Sequence, residues 1–164
     1  MQRVAALLGE WAGALGLDEV DRLRWQAAGW LHDALRDAPA DDLRSELGDE
    51  AAGLPDPLLH GPAAAARLEG EVDGEMALAI RHHTTGHPDF ASLGRALYIA
   101  DFLEPGREWS AGWRAGLRAR MPDDEPAVLR EVLRSRIAHQ LELNRPLRPE
   151  TAAFWNTAVE ERAA

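Results

Sequence analysis

The side chains best suited to chemistry in this sequence are the adjacent pair His32-Asp33, then His83 and Asp101. Each stands where the local helical pattern calls for an apolar residue. Trp25, Ala28, Gly29 and His32 follow i, i+3, i+4, i+7 spacing, and Asp33 takes i+8. Met76, Ala79, Ile80 and His83 repeat the pattern, and Leu93, Ala96, Leu97 and Ala100 lead to Asp101. An imidazole or carboxylate on a core-facing stripe must be paired, hydrogen-bonded or bound to a metal, since burying it bare is costly. Taken singly, each has a plainer reading as a hydrogen-bonded core histidine or a helix-end aspartate paired with arginine. Three such positions in one small chain point jointly to a metal site that performs hydrolysis.

The chain has no cysteine, so any metal must be held by imidazole and carboxylate. That donor set suits iron, manganese, nickel or cobalt as well as zinc. His60 precedes Gly61-Pro62 at a helix start, where free N–H groups and the helix dipole favour an anion. A histidine there can hold a phosphate or protonate a leaving oxygen; its plainer reading is a surface loop residue. Arg36, one turn beyond the His-Asp pair, and Arg107, after Glu104-Pro105, are near enough to serve an anionic substrate, with Arg81 a further candidate. The remaining histidines contrast with these. His139 falls outside the row Leu129, Leu133, Ile137, Leu141 and should face solvent, His82 is out of phase with His83, and His87 lies in a Gly/Pro loop.

These groups require helices to position them. Glycines and prolines divide the chain into helical patterns, with no strand-like alternation, so the expected fold is all-α, a single helical bundle of 164 residues. Helices are predicted from about Arg3 to Leu15, after Asp18 to about Arg36, as a long element from His60, over Gly74–His83 and over Phe90–Leu103. The segment from Asp37 to Pro57 reads mostly as loop with a short helix at Asp41–Leu47. A metal-site core over about 18–107 is followed by a helical extension over about 108–164, with a short helix near Trp113 and longer ones at Glu125–Asn144 and Glu150–Glu161.

A net charge of −10, with all 18 basic residues arginine, lacks the basic field that nucleic-acid binding needs. A few local arginines still suffice for a small anion. No apolar run reaches membrane-span length, and no secretory signal opens the chain, so the expected setting is the cytoplasm. Trp109, Trp113 and Trp155 fall outside the expected metal-site core and would cover either the domain itself or a partner; the oligomeric state stays open.

In order and type, these residues resemble the HD superfamily of metal-dependent phosphohydrolases. The stretches His82-His83-Thr84-Thr85-Gly86 and Leu97-Tyr98-Ile99-Ala100-Asp101-Phe102-Leu103-Glu104-Pro105-Gly106-Arg107 are similar to one branch, the YqeK-type symmetrical diadenosine tetraphosphate hydrolases. Ala28-Gly29-Trp30-Leu31-His32-Asp33, Leu59-His60-Gly61-Pro62 and the segment from Pro149 to Asn156 add to the likeness. The resemblance implies a divalent metal, typically iron, held by His32, Asp33 and Asp101. It places His60 and His83 beside the phosphates or at a second metal position, with Thr84, Arg36 and Arg107 lining the phosphate groups. It implies cleavage to two ADP, with Asp33 accepting a proton from water and His60 or His83 stabilising charge or protonating the leaving oxygen. Such families also carry a metal histidine on the first helix, one turn before the Val4-Ala5-Ala6-Leu7 stripe. That position falls at or just before Met1, so the native start is expected slightly upstream. Hydrolysis of another nucleotide or dinucleoside polyphosphate, and a non-catalytic nucleotide-binding module, are the alternatives.

Overall fold

The computed structural model describes residues 1–161, and every regular element among them is helical. The chain runs through α1 (Gln2–Ala14), α2 (Glu19–Leu31), α3 (Ala40–Leu47) and two short 3₁₀ turns (Gly48–Ala51 and Asp56–Leu58). It continues through α4 (His60–Arg67), α5 (Gly74–His82), α6 (Ser92–Leu103), α7 (Ala111–Arg120), α8 (Glu125–Glu142) and α9 (Pro149–Glu160). The expected all-α class is the one observed. No described helix is long and apolar enough to cross a membrane.

The core forms around α6, whose residues from Ala96 through Leu103 are all buried and which packs on α1, α2, α5, α7 and α8. An apolar helix of this kind cannot stand alone in solvent, so its neighbours wrap it. The helices α1 and α2 form a close hairpin, started on the α2 side by Asp18, which accepts a 2.9 Å bond from the Asp21 amide. Gly29 makes the closeness possible, since a Cβ there would stand 2.6 Å from the Ala5 Cα. Arg24 then ties α2 to the start of α5 by pairing with Asp73 and Glu75. Asp73 also caps α5, accepting from the Met76 amide at 3.0 Å.

Two expected boundaries move. The second helix, expected to reach Arg36, stops at Leu31, because the chain shifts to tighter i→i+3 bonds, Ala34 to Leu31, Arg36 to Asp33 and Ala38 to Leu35. The third element, expected to be long, is the eight-residue α4, closed by turns that include Gly70 at φ 80°. The 37–57 region is mostly irregular, as expected. It is held down by its own apolar cluster of Leu43, Leu47, Ala51, Leu59 and Ala63. In α8, Leu129 and Leu133 are buried, but Ile137 is half-buried and Leu141 exposed, since this end projects past the core.

Candidate metal centre and phosphate cavity

His32 and His83 occupy the same station on two helices, the C-cap of α2 and of α5. Each donates its Nδ1–H to the carbonyl three residues back, His32 to Gly29 at 3.0 Å and His83 to Ile80 at 2.8 Å. That bond fixes the tautomer and leaves each Nε2 with a free lone pair facing inward. Both rings are buried, with centroids 4.9 Å apart. Burial, with the nearby His83 adding to it, lowers the His32 pKa to about 4, so its imidazole is neutral near pH 7.

Asp33 stands between two groups of donors. Its Oδ2 lies 3.6 Å from His32 Nε2, which is itself 4.0 Å from Asp101 Oδ1. Its Oδ1 lies 3.1 Å from His60 Nε2 and 3.4 Å from His83 Nε2, and these two nitrogens are 3.0 Å apart. His60 reaches this point as the first residue of α4, which lies close to α5 because Gly61 has no side chain. A Cβ at Gly61 would come within 2.8 Å of the Arg81 carbonyl. Burial opposes ionisation of Asp33, but the imidazoles of His60 and His83 outweigh it and hold the carboxyl far below the ordinary range.

Asp101, near the end of α6, is bound from both sides by arginine. Arg107 Nη2 meets its Oδ1 at 2.9 Å, and Arg136 Nη2 meets its Oδ2 at 2.9 Å. Burial again opposes its ionisation, and Arg136, His83 and Arg107 outweigh that to leave its pKa at about 2. Arg136 also donates to the Thr84 carbonyl at 3.1 Å, and Arg36 holds Asp33 Oδ2 at 2.9 Å.

The donors suit a divalent cation. His32 Nε2 and Asp33 Oδ1 are buried polar atoms without a hydrogen-bond partner among the described residues, an arrangement that burial penalises unless something else binds there. Ligand atoms of His32, Asp33 and His83 lie within 4.8 Å of one another. Ligands around a hard or borderline cation sit about 2 Å from it, so donor separations of roughly 3 to 3.5 Å are what such an ion needs.

The centre opens on a cavity of about 1070 Å³, at the top of the range for small-molecule sites. Arg36, His60, Thr84, Asp101 and Arg107 all line it, so the structure brings these sequence-selected residues together. Arg81 is elsewhere, paired with Glu50. His139 is largely exposed, as expected, at the cavity's outer wall. Sequence reasoning missed Arg136, Arg114 and Tyr98. Arg136 had a signal, since it continues the buried Val128–Val132 row at four-residue spacing, yet an arginine on a helix defaults to solvent.

Buried histidines and an aspartate at the ends of packed helices, opening on an arginine-lined cavity, are the frame of one protein class. The HD domain profile matches residues 1–106, and the chain belongs to the HD-domain family. Among its relatives is the symmetrical bis(5'-nucleosyl)-tetraphosphatase of Halalkalibacterium halodurans, 27% identical over 150 residues, which cover 87% of this chain and 79% of that protein. The protein of the same name from Bacillus subtilis is 26% identical over 147 residues, 85% of this chain and 78% of its own. That of Staphylococcus aureus is 36% identical over 98 residues, 53% of this chain and 49% of its own. A crystal structure from Clostridium acetobutylicum, described as an HD superfamily hydrolase involved in NAD metabolism, superimposes with a TM-score of 0.83 at 25% identity. The match covers 98% of this chain and 87% of that one.

Proposed function

We propose that this protein is a metal-dependent hydrolase that cleaves diadenosine tetraphosphate symmetrically to two ADP. The observation that carries the reading is Asp33, set between inward-facing imidazoles and joined through His60 and Arg36 to a cavity that Asp101, Arg107 and Arg136 also line. Its relatives' names supply the substrate.

In this reading His32, Asp33 and Asp101 hold the ion, taken to be iron, and His83 and His60 face the phosphates across Asp33. When bound, the ion supplies Lewis acidity toward a phosphoryl oxygen and toward the attacking water. Asp33 is the acceptor for the proton that the water gives up. His83 spends its Nδ1–H on the Ile80 carbonyl, so its Nε2 is an acceptor and the proton in the 3.0 Å contact belongs to His60. His60 is therefore the group placed to protonate the departing ADP oxygen. Arg36, Arg107 and Arg136 offset the charge that spreads over phosphoryl oxygens as the bond breaks. Thr84, in the cavity wall, lines the phosphate chain. In this reading the protein works in the cytoplasm.

The test is incubation with diadenosine tetraphosphate and ferrous or manganous ion, with products separated by chromatography. ADP as the sole product is expected. A mixture of ATP and AMP would overturn symmetrical cleavage, and hydrolysis of mononucleotides in preference would move the reading to another nucleotide.

A further inference from the structure

Arg114, on α7, is 1% exposed and is the largest of the fully buried side chains. Its guanidinium carbon lies 3.8 Å from the centroid of Trp109 and 4.2 Å from that of Phe102. Stacking of this kind offsets part of the cost of burying the charge. Its Nε donates to the Trp109 carbonyl at 3.1 Å, but Nη1 is buried without a partner among the described residues. Among the described residues no carboxylate forms an ion pair with Arg114, whereas Arg107 and Arg136 share Asp101. Burial, reinforced by Arg107 and Arg136, lowers its pKa to about 10, which leaves it charged at neutral pH.

An unpaired buried cation in a chain of net charge −10 calls for an anion from outside. Arg114 and Trp109 line the same cavity as His60 and Asp101 of the metal centre, and the Phe102 ring that Arg114 stacks on also lies 5.3 Å from the guanidinium carbon of Arg136. Trp109 is 52% exposed, so part of this large aromatic remains open beside the cation. An aromatic surface next to a guanidinium is a pairing suited to a nucleobase and its adjacent phosphate.

We propose that Trp109 and Arg114 form the subsite for the second nucleotide of the substrate, with the base stacked on Trp109 and its phosphate held by Arg114. The assignment rests on the dinucleotide reading above, and gives each half of the molecule a separate place. Arg114 would thereby decide which phosphate-chain lengths fit between the metal centre and the far nucleotide.

The test is calorimetric titration of the metal-loaded protein with ADP, beside steady-state kinetics on diadenosine tetraphosphate. The wild-type protein should take two ADP per chain. Trp109→Ala and Arg114→Gln should each lose the weaker one, or weaken it by about 10- to 100-fold, the range for losing a charge-assisted contact or a base stack. KM should rise by a similar factor while kcat changes less than about threefold. Should Arg114→Gln fail to fold, Arg114→Lys keeps the charge without the planar fork, and Trp109→Ala alters an exposed residue. Two ADP bound with wild-type affinity by Trp109→Ala and by a folded Arg114 variant would overturn the subsite, as would a single ADP in wild type that neither change affects. If two ADP bind and the weaker one is lost in the variants while the tetraphosphate is not cleaved, the subsite stands and the catalytic reading fails.

Discussion

The two walls of the site are held in place over very different distances along the chain. On the α2, α5 and α6 side, His32 and His83 are each fixed by a carbonyl three residues away, at the end of a helix that the core already immobilises. On the α8 side, Arg136 is fixed by Asp101 and Thr84, which are 35 and 52 residues away. The first arrangement is local and pre-set as soon as the helix forms. The second exists only once the bundle has closed. The histidines are thus oriented locally, as are the Arg36–Asp33 and Arg107–Asp101 pairs, whereas the share of charge neutralisation that Arg136 supplies needs the closed bundle.

The sharpest break of that contrast is Asp33→Asn on the rigid wall. It removes the negative charge shared by His60, His83 and Arg36 and should lower kcat by at least about 1,000-fold, roughly 4 kcal/mol of barrier, with metal content falling in parallel. Secondary structure measured by circular dichroism should be unchanged. Next comes Leu97→Ala, one turn before Asp101 and fully buried. The cavity it leaves should cost about 2 to 5 kcal/mol in denaturant unfolding. An equal loss from an α8 change such as Ile137→Ala would erase the distinction between the walls.

Arg136→Gln tests the other wall. Its loss should raise KM for the tetraphosphate by about 10- to 100-fold, an effect of a charged hydrogen bond, while bound metal stays near the wild-type level. A collapse of metal content instead would show that Arg136 organises the ligands. The smallest effect is expected for Trp30→Ala, two residues before His32 yet half-exposed, with under about 0.5 kcal/mol in stability and no change in turnover.

The difference between the walls also explains what the sequence reveals. His32, His83 and Asp101 were legible because each ends an apolar stripe, and periodicity along one helix is a local property. Most helix starts were readable too, from Asp18 and the punctuating glycines and prolines, whereas the short α4 was expected to be long. The early end of α2 was not readable, because the shift to i→i+3 bonding after Leu31 leaves no mark in composition. Arg136 and Arg114 were hidden because their partners, Asp101 and the Phe102–Trp109 pair, meet them only in the folded bundle. An arginine on a helix looks the same whether its end faces water or an enclosed carboxylate.

The central claim is that His32 and Asp33, with Asp101, clasp one divalent ion. Its most direct test is the metal-to-protein ratio after anaerobic loading with ferrous ion and desalting, compared across the wild-type protein, His32→Gln, Asp33→Asn and the exposed-site control His139→Gln. The expected result is full retention in wild type and His139→Gln, and a fall to under about a tenth in the other two, since each loses a ligand from a small donor set. Equal metal retention in all four proteins would contradict it.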